Sequence, residues 1–209
     1  MALAMKHIHL CRTVALSCLL AASTTNAGEP TDLVKLTHQR SVELLRNPTL
    51  QSEDKERELN DRLRDIQFPV TDVDEMAKRV LATHWNRLTA ARRKEFVDAF
   101  RGFLEGVNRI PSKHASTTLV LERETIQQDF AEVEGYFYFP MRRDARVIYK
   151  LHLVDGKWRI YDWSTWRIES VDNLRAQFNR VIANSSFEGL IKLLREKKEL
   201  VDKRRAAGK

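Results

Sequence analysis

The sequence predicts an α+β fold in which a curved four-stranded antiparallel sheet packs against N-terminal and C-terminal helices and encloses an apolar cavity. The period of the apolar residues supports this prediction. It is helical between residues 31 and 107, becomes the two-residue period of strands between 116 and 164, and is helical again from residue 170. The chain has no internal repeat and no Gly-Pro-rich linker, so residues 28–209 are expected to form a single domain.

The first two helices are bounded by capping residues and prolines. Thr31 is placed to cap the first helix, and Asn47-Pro48 ends it. Its apolar face is expected to carry leucines: Leu33, Leu36, Leu44 and Leu45. Ser52 begins the second helix, and Phe68-Pro69 breaks it. Its helical stripe is formed by Leu59, Leu63 and Ile66.

The next two helices are the most strongly patterned. The third starts at Thr71 or Asp72, and Met76 and Val80 are expected to share a face with Trp85. The fourth starts at Thr89 and has a wide apolar stripe, which consists of Phe96, Phe100, Phe103, Leu104 and Val107.

After Pro111 the two-residue period predicts strands over 116–122, 129–139, 145–154 and 157–164. Asp155-Gly156 suits a two-residue hairpin turn, because such turns need positive φ and glycine adopts it without steric cost. The aromatic run of residues 136–139 is apolar on both sides, which places its strand at the centre of the sheet or beneath helices. In the third strand an apolar face alternates with a solvated face that includes His152.

The fourth strand leads into two more helices. Simple alternation places Trp158, Ile160 and Asp162 on one face and Arg159, Tyr161 and Trp163 on the other. Ser170 and Asp172 start the next helix, and the segment 185–188 caps the last one. The inward residues of these two helices are Leu174, Phe178, Val181, Ile182, Leu190, Leu193 and Leu194.

Residues 1–27 have the layout of a cleavable signal peptide. Two basic residues precede an apolar run from Val14 to Ala22, and a small residue, Ala27, ends the segment. The run is shorter than the roughly 20 residues of a transmembrane helix. Both cysteines lie within this segment, so disulfides and cysteine chemistry are not expected in the exported chain. Removal of residues 1–27 lowers the formal charge from +7 to +5, because Lys6 and Arg12 leave with no acidic residue.

Catalytic and metal-binding patterns are weak, and no cofactor is predicted. The remaining histidines, His38, His84, His114 and His152, show no metal-ligand spacing. No nucleophile elbow or glycine-rich phosphate loop is present, and the basic residues are spread along helices, which argues against a nucleic-acid partner. Asp162 is the best acid-base candidate. The interpretation that we favour is that Asp162 caps a backbone turn or pairs with a basic residue.

Several short motifs occur in an order that resembles one family. A helix of the form D-x-x-x-M-A-x-x-V-L starts at Asp72, and an E-F-x-x-x-F-x-x-x-L helix starts at Glu95. A D-G turn, W-x-x-Y-D, N-x-R-x-Q-F and G-L-I follow between Asp155 and Ile191. Together they resemble the MlaC, or toluene-tolerance (Ttg-type), family of periplasmic phospholipid carriers. Trp166–Glu169 departs from the E-G-V-S that this family usually has there, which places the ligand or the docking surface in doubt.

The resemblance implies a periplasmic lipid carrier and not an enzyme. Such a protein would bind the acyl chains of a phospholipid and shuttle it between an inner-membrane ABC transporter complex and an outer-membrane lipoprotein complex. A soluble carrier must enclose the acyl chains in an apolar cavity. The residues expected to line it are Met76, Val80, Leu81, Trp85, Phe96, Phe100, Phe103, Leu104, Val147, Tyr149, Leu151, Trp158, Ile160 and Trp166. The residues expected at the headgroup or at a docking surface are Arg142, Arg143 and Arg146.

Three alternatives remain open at this point. The ligand could be a hopanoid or another cyclic lipid, since tryptophan faces pack well against flat rings. The chain could instead be a cone-shaped isomerase or cyclase with Asp162 as its base. It could also be a docking protein of the cell envelope that binds only other proteins.

Overall fold

The computed structural model describes residues 29–107, 115–140, 144–165 and 168–206. Helices precede and follow a sheet, which confirms the predicted α+β fold. The helices are α1 Pro30–Arg46, α2 Glu56–Gln67, α3 Val73–Leu81, α4 Thr83–Arg87, α5 Ala90–Val107, α6 Ser170–Asn184 and α7 Phe187–Ala206. The strands are β1 Thr118–Gln127, β2 Phe130–Tyr138, β3 Ala145–Val154, β4 Lys157–Thr165 and β5 Ile168–Glu169. The predicted signal peptide lies outside the described residues.

The sheet is antiparallel, and its strands follow one another in chain order from β1 to β5. Asp155 and Gly156 have φ angles of 50° and 70°, so the predicted two-residue hairpin turn between β3 and β4 is confirmed. The aromatic strand β2 is internal, as expected. The sheet differs from the prediction in two ways. The first strand, β1, continues to Gln127 rather than ending at residue 122, and the short β5, which was not predicted, makes the sheet five-stranded rather than four-stranded.

The sheet has two unlike faces, which we call inner and outer. The inner face is the one that α1 packs against, and the outer face is its opposite. Val34 of α1 is buried with four inner-face side chains in a cluster that we call the sheet core: Val34, Ala131, Val133, Leu151 and Ile160. Residues that pair across neighbouring strands share a face, so the register assigns the remaining positions.

A β-bulge in β4 changes which side chains face inward. Leu151 pairs with Ile160, while its neighbour Lys150 pairs with Asp162. Tyr161 is therefore an extra residue without a pairing partner in the β3–β4 ladder. The bulge places Trp163 opposite the inner-face residue Tyr149. The predicted alternation was wrong beyond Ile160, because one inserted residue moves every later side chain to the other face.

The first helix differs in two details from the prediction. It begins at Pro30, and Thr31 lies inside its first turn rather than capping it. The carboxylate of Glu124 in β1 accepts hydrogen bonds from the Thr31 amide and hydroxyl, both at 2.7 Å, and thereby satisfies a free donor of the helix terminus. Leu36 is 46% exposed, so its assignment to the apolar face was wrong. Val34 faces the sheet instead.

Caps and breaks define the next helices. The Asp72 side chain caps α3 and accepts a hydrogen bond from the Glu75 amide at 2.8 Å. Ala82 has a φ of 47°, which ends α3 and starts the separate helix α4. Trp85 is therefore not on the helix that carries Met76, contrary to the prediction.

The caps predicted for α5 and α7 are confirmed. The Thr89 hydroxyl accepts a hydrogen bond from the Arg92 amide at the start of α5, at 3.3 Å. The Ser186 hydroxyl accepts one from the Gly189 amide at the start of α7, at 3.0 Å.

The largest buried cluster lies among α3, α5, α6 and α7 and meets the sheet at β4. We call it the helical core, and it consists of Val73, Met76, Ala77, Val80, Leu81, Phe96, Val97, Ala99, Phe100, Phe103, Leu104, Tyr161, Val171, Phe178, Leu190, Ile191 and Leu194. A smaller cluster joins α1 and α2 through Leu45, Leu50, Leu59 and Leu63.

Candidate functional site

Large apolar side chains around the sheet core keep part of their surface accessible. We call this set the inner-face surface, and it consists of Leu33, Val70, Leu119, Leu121, Tyr149, Trp158 and Trp163. Each is only partly buried, whereas the sheet core beneath them is almost fully buried. Accessible apolar surface is what an apolar ligand can cover, so this set is the candidate site.

Two polar contacts hold the elements that border the inner-face surface. At one border, Glu124 fixes the N-terminus of α1 to β1. At another, the Asp72 amide donates to the carbonyl of Ile160 at 2.8 Å, and Thr71 forms a parallel bridge with the same residue. These contacts tie α1 and the segment before α3 to opposite parts of the sheet, which keeps the apolar residues between them in fixed positions.

The helical core is closely packed. Met76, Val80, Leu81, Phe96 and Phe100 have no accessible surface. The rings of Phe96 and Phe100 stack with centroids 5.6 Å apart, and the Phe178 ring meets both of them edge-on at 6.2 and 6.0 Å. A side chain without accessible surface lines no void large enough for water. A ligand would therefore contact these residues only if the helices moved apart.

The predicted cavity residues consequently separate into two groups. One group belongs to the helical core or packs against it: Met76, Val80, Leu81, Trp85, Phe96, Phe100, Phe103 and Leu104. The other lies on the inner face of the sheet: Val147, Tyr149, Leu151, Trp158 and Ile160. Trp166 lies outside the described residues. That any of them contacts lipid remains a prediction.

Trp163 connects the two groups, because it packs against both the helical core and the sheet core. Sequence reasoning did not select it as a site residue, since without the bulge it would point to the outer face. Leu119 and Leu121 were also missed, although their two-residue spacing within a predicted strand was a usable signal.

The predicted headgroup or docking arginines are not at the inner-face surface as far as they are described. Arg146 pairs with Tyr136 across the β2–β3 ladder on the outer face and forms an ion pair with Glu134. Glu134 also pairs with Arg123. The hydrogen bond from Arg146 is the main cause that lowers the pKa of the Glu134 carboxyl, and the one from Arg123 adds to it. Arg142 and Arg143 lie outside the described residues.

Asp162 is a buried capping residue. Its Oδ1 atom accepts hydrogen bonds from the amides of Trp163 at 2.8 Å and Val171 at 3.0 Å, which joins the bulge to the first turn of α6. The interpretation that Asp162 caps the backbone is therefore confirmed. Asp162, the residue that the sequence indicated as the best acid-base candidate, thus holds β4 and α6 together through backbone hydrogen bonds.

The surroundings of two histidines, His152 and His38, differ from those of a solvated surface residue. His152 was expected on a solvated face, and this was wrong: its Nε2 atom lies 2.9 Å from Oδ2 of Asp72, and its ring meets Tyr161 edge-on. His38 projects from α1 towards the end of the sheet, with its ring 5.7 Å from that of Phe137. Burial lowers the pKa of His38 from its usual value of 6.5. His114 lies outside the described residues.

Within the described ranges, no group of three or more His, Cys, Asp or Glu side chains is arranged to hold a metal ion. None of the helices in that part of the chain is both long and apolar enough to cross a bilayer.

Comparisons with known proteins agree with the fold. The family model described as MlaC protein matches residues 35–196. A phospholipid-binding protein from Ralstonia solanacearum, solved in complex with a phospholipid, superposes with a TM-score of 0.70. The match covers 84% of this chain and 99% of that chain at 16% sequence identity, a level at which the likeness shows the fold alone. No curated protein matches the sequence.

Proposed function

Because the chain belongs to the MlaC family, we propose that it is a phospholipid carrier whose inner-face surface contacts the acyl chains of the bound lipid. The observation that carries this proposal is the set of partly accessible leucine, tyrosine and tryptophan side chains above the sheet core. The phospholipid named for the Ralstonia solanacearum protein of the same fold supports the choice of ligand.

The free energy of exposing acyl chains to water is large, so a phospholipid carrier requires an apolar surface that covers them. Each acyl CH₂ group removed from water contributes about 0.8 kcal/mol, so two chains of about fifteen CH₂ groups represent roughly 24 kcal/mol. A protein that moves a phospholipid through water must therefore cover most of both chains. We propose that they lie along the inner-face surface beside α1, in an apolar cavity that includes Tyr149 and Trp158, and that the helical core acts as a packed support.

We further propose that the protein works in the periplasm after cleavage of the signal peptide at residues 1–27. There it would exchange phospholipid with an inner-membrane ABC transporter complex and an outer-membrane lipoprotein complex. The family and the layout of the N-terminal segment support this proposal. Arg146 stands on the outer face, away from the inner-face surface, so a docking role suits it better than a headgroup contact.

A cyclic lipid such as a hopanoid is the second candidate ligand. The observation that favours it is the presence of two indoles, Trp158 and Trp163, in the inner-face surface. The isomerase or cyclase alternative receives no such support, because its required base, Asp162, is almost fully buried and holds two backbone amides.

The test compares two neighbouring residues of β1 that point to opposite faces. Leu121 is a half-buried member of the inner-face surface, and Val120 is 42% exposed on the outer face. The proteins are purified from the periplasm, and their lipid is extracted and identified by mass spectrometry. Transfer of a fluorescent phospholipid between two vesicle populations is then measured. Leu121→Asp should lose co-purified lipid and transfer, and Val120→Asp should keep both.

Thermal unfolding of both variants shows that they are folded, and Leu121→Gln replaces Leu121→Asp if the latter is not. Wild-type protein that carries no phospholipid and transfers none would overturn the proposal. A hopanoid in the lipid extract would show that the cyclic lipid, the second candidate, is the bound ligand. Equal loss in both variants would show that the inner-face surface is not the site.

A further inference from the structure

We propose that Trp163 sets the depth of the acyl-chain site, and with it the chain length that the protein prefers. This inference rests on the proposed function. Trp163 would then determine the specificity of that site for chain length.

Three features of β4 and its neighbour β3 set the position of Trp163. The bulge at Tyr161 moves its side chain to the inner face. Asp162 accepts a hydrogen bond from the Trp163 amide at 2.8 Å, and the same carboxylate oxygen holds the first turn of α6. The opposite strand supplies Tyr149 as the cross-strand neighbour of Trp163. These contacts hold the backbone at Trp163 and thereby set the face of the sheet to which its indole points.

Trp163 also lies between two different environments. On one side it packs with the sheet core beside the accessible side chains of the inner-face surface. On the other side it packs against the helical core, where Phe96 and Phe100 have no accessible surface. An acyl chain that extends along the inner face as far as Trp163 would meet the indole, and the closely packed helical core begins beyond it.

Trp158 is a natural control. It is also a tryptophan of the inner-face surface and lies four pairs along the same ladder, opposite Leu153. It packs against the sheet core but is not among the residues that pack against the helical core. Its removal would widen the inner-face surface without opening a path towards the helices.

Truncation of Trp163 to alanine should leave an apolar space that remains dry and accepts apolar atoms of the ligand. Each additional CH₂ group that becomes enclosed favours binding by about fourfold, since 0.8 kcal/mol per CH₂ compares with 1.4 kcal/mol per factor of ten. Two additional CH₂ groups correspond to roughly 15-fold.

The experiment uses the full mature chain, delipidated and then loaded from vesicles that contain equal amounts of phosphatidylethanolamines with 14, 16, 18 and 20 carbons per chain. Bound lipid is extracted and quantified by mass spectrometry for wild type, Trp163→Ala and Trp158→Ala. We expect Trp163→Ala to move the preferred length upward by at least two carbons, whereas Trp158→Ala binds less lipid with the wild-type length profile. Trp163→Leu, which leaves less space, should show a smaller shift and serves if the alanine variant does not fold.

An unchanged length profile in folded Trp163→Ala and Trp163→Leu overturns the inference while the proposed function stands. The same upward shift in Trp158→Ala also overturns it, because the effect would then not depend on the boundary with the helical core. If wild-type protein takes up no phospholipid of any length, the proposed function itself fails and the inference fails with it.

Discussion

Replacement of Asp162 separates a capping role from a catalytic role with one set of measurements. The carboxylate oxygen accepts two backbone hydrogen bonds, and the side chain is 3% exposed. Asp162→Asn keeps an oxygen of similar position but removes the charge. Charge-assisted hydrogen bonds are roughly twice as strong as neutral ones, so the expected loss in the free energy of unfolding is about 1–2 kcal/mol. Asp162→Ala leaves two amides without this acceptor, at about 1–3 kcal/mol each, or roughly 2–6 kcal/mol in total.

The assay is urea unfolding followed by far-UV circular dichroism, with vesicle transfer of phospholipid measured on the same samples. Asp155→Asn is the matched control, because Asp155 is exposed in the β3–β4 turn at a φ of 50° that asparagine tolerates. It should change stability by less than about 0.5 kcal/mol. Transfer should follow the folded fraction in every variant. An Asp162→Asn protein of wild-type stability that has lost its activity would refute the capping argument and revive the catalytic one.

Two further predictions concern stability. Burial lowers the pKa of His38 below 6.5, so the unfolded chain binds the proton first as the pH falls. The free energy of unfolding should therefore decrease below about pH 6.5 and continue to decrease until the folded-state pKa is reached. His38→Gln should remove this part of the pH dependence in urea unfolding, and an unaltered pH profile in this variant would contradict the prediction. A Cβ atom at Gly135 would lie 2.2 Å from a backbone carbonyl oxygen of β1, whereas one at Gly102 would meet the flexible end of a lysine side chain at 2.7 Å. Gly135→Ala should therefore lower the melting temperature strongly. Gly102→Ala should leave it unchanged or raise it, since alanine favours a helix by about 1 kcal/mol relative to glycine. Equal melting temperatures of the two variants would show that β1 can shift to make room for the added Cβ atom.

The sequence predicted most of the elements because their signals are local. Helical periodicity and capping side chains located α5 and α7, and the Asp155-Gly156 pair located a turn with two positive φ angles. These features depend on a few neighbouring residues and elementary sterics. Family motifs placed the chain in the correct family for the same reason, since each motif is a short local pattern.

The structure differs from the prediction where its features do not follow from local sequence patterns. The cap of α1 comes from Glu124, which is 93 residues from Thr31 in the chain, and no local rule identifies such a partner. Ala82 takes a positive φ in the middle of an apolar pattern and divides one predicted helix into two. The bulge at Tyr161 reverses the expected orientation of Trp163, and periodicity has no signal for an inserted residue. The candidate site was therefore predicted as one apolar set, although the fold divides it between two cores.

The residues of the helical core come from distant parts of the chain, so this core cannot be completed until the end of synthesis. Phe96 and Phe100 lie in α5, but three of the residues that bury them with the rest of this core, Leu190, Ile191 and Leu194, are synthesised about 90 positions later. The sheet between them is a chain of consecutive hairpins, which can close locally while the polypeptide is still growing. The aromatic stripe of α5 therefore stays incompletely covered until the last helix has been made, and during that time it can associate with other apolar surfaces.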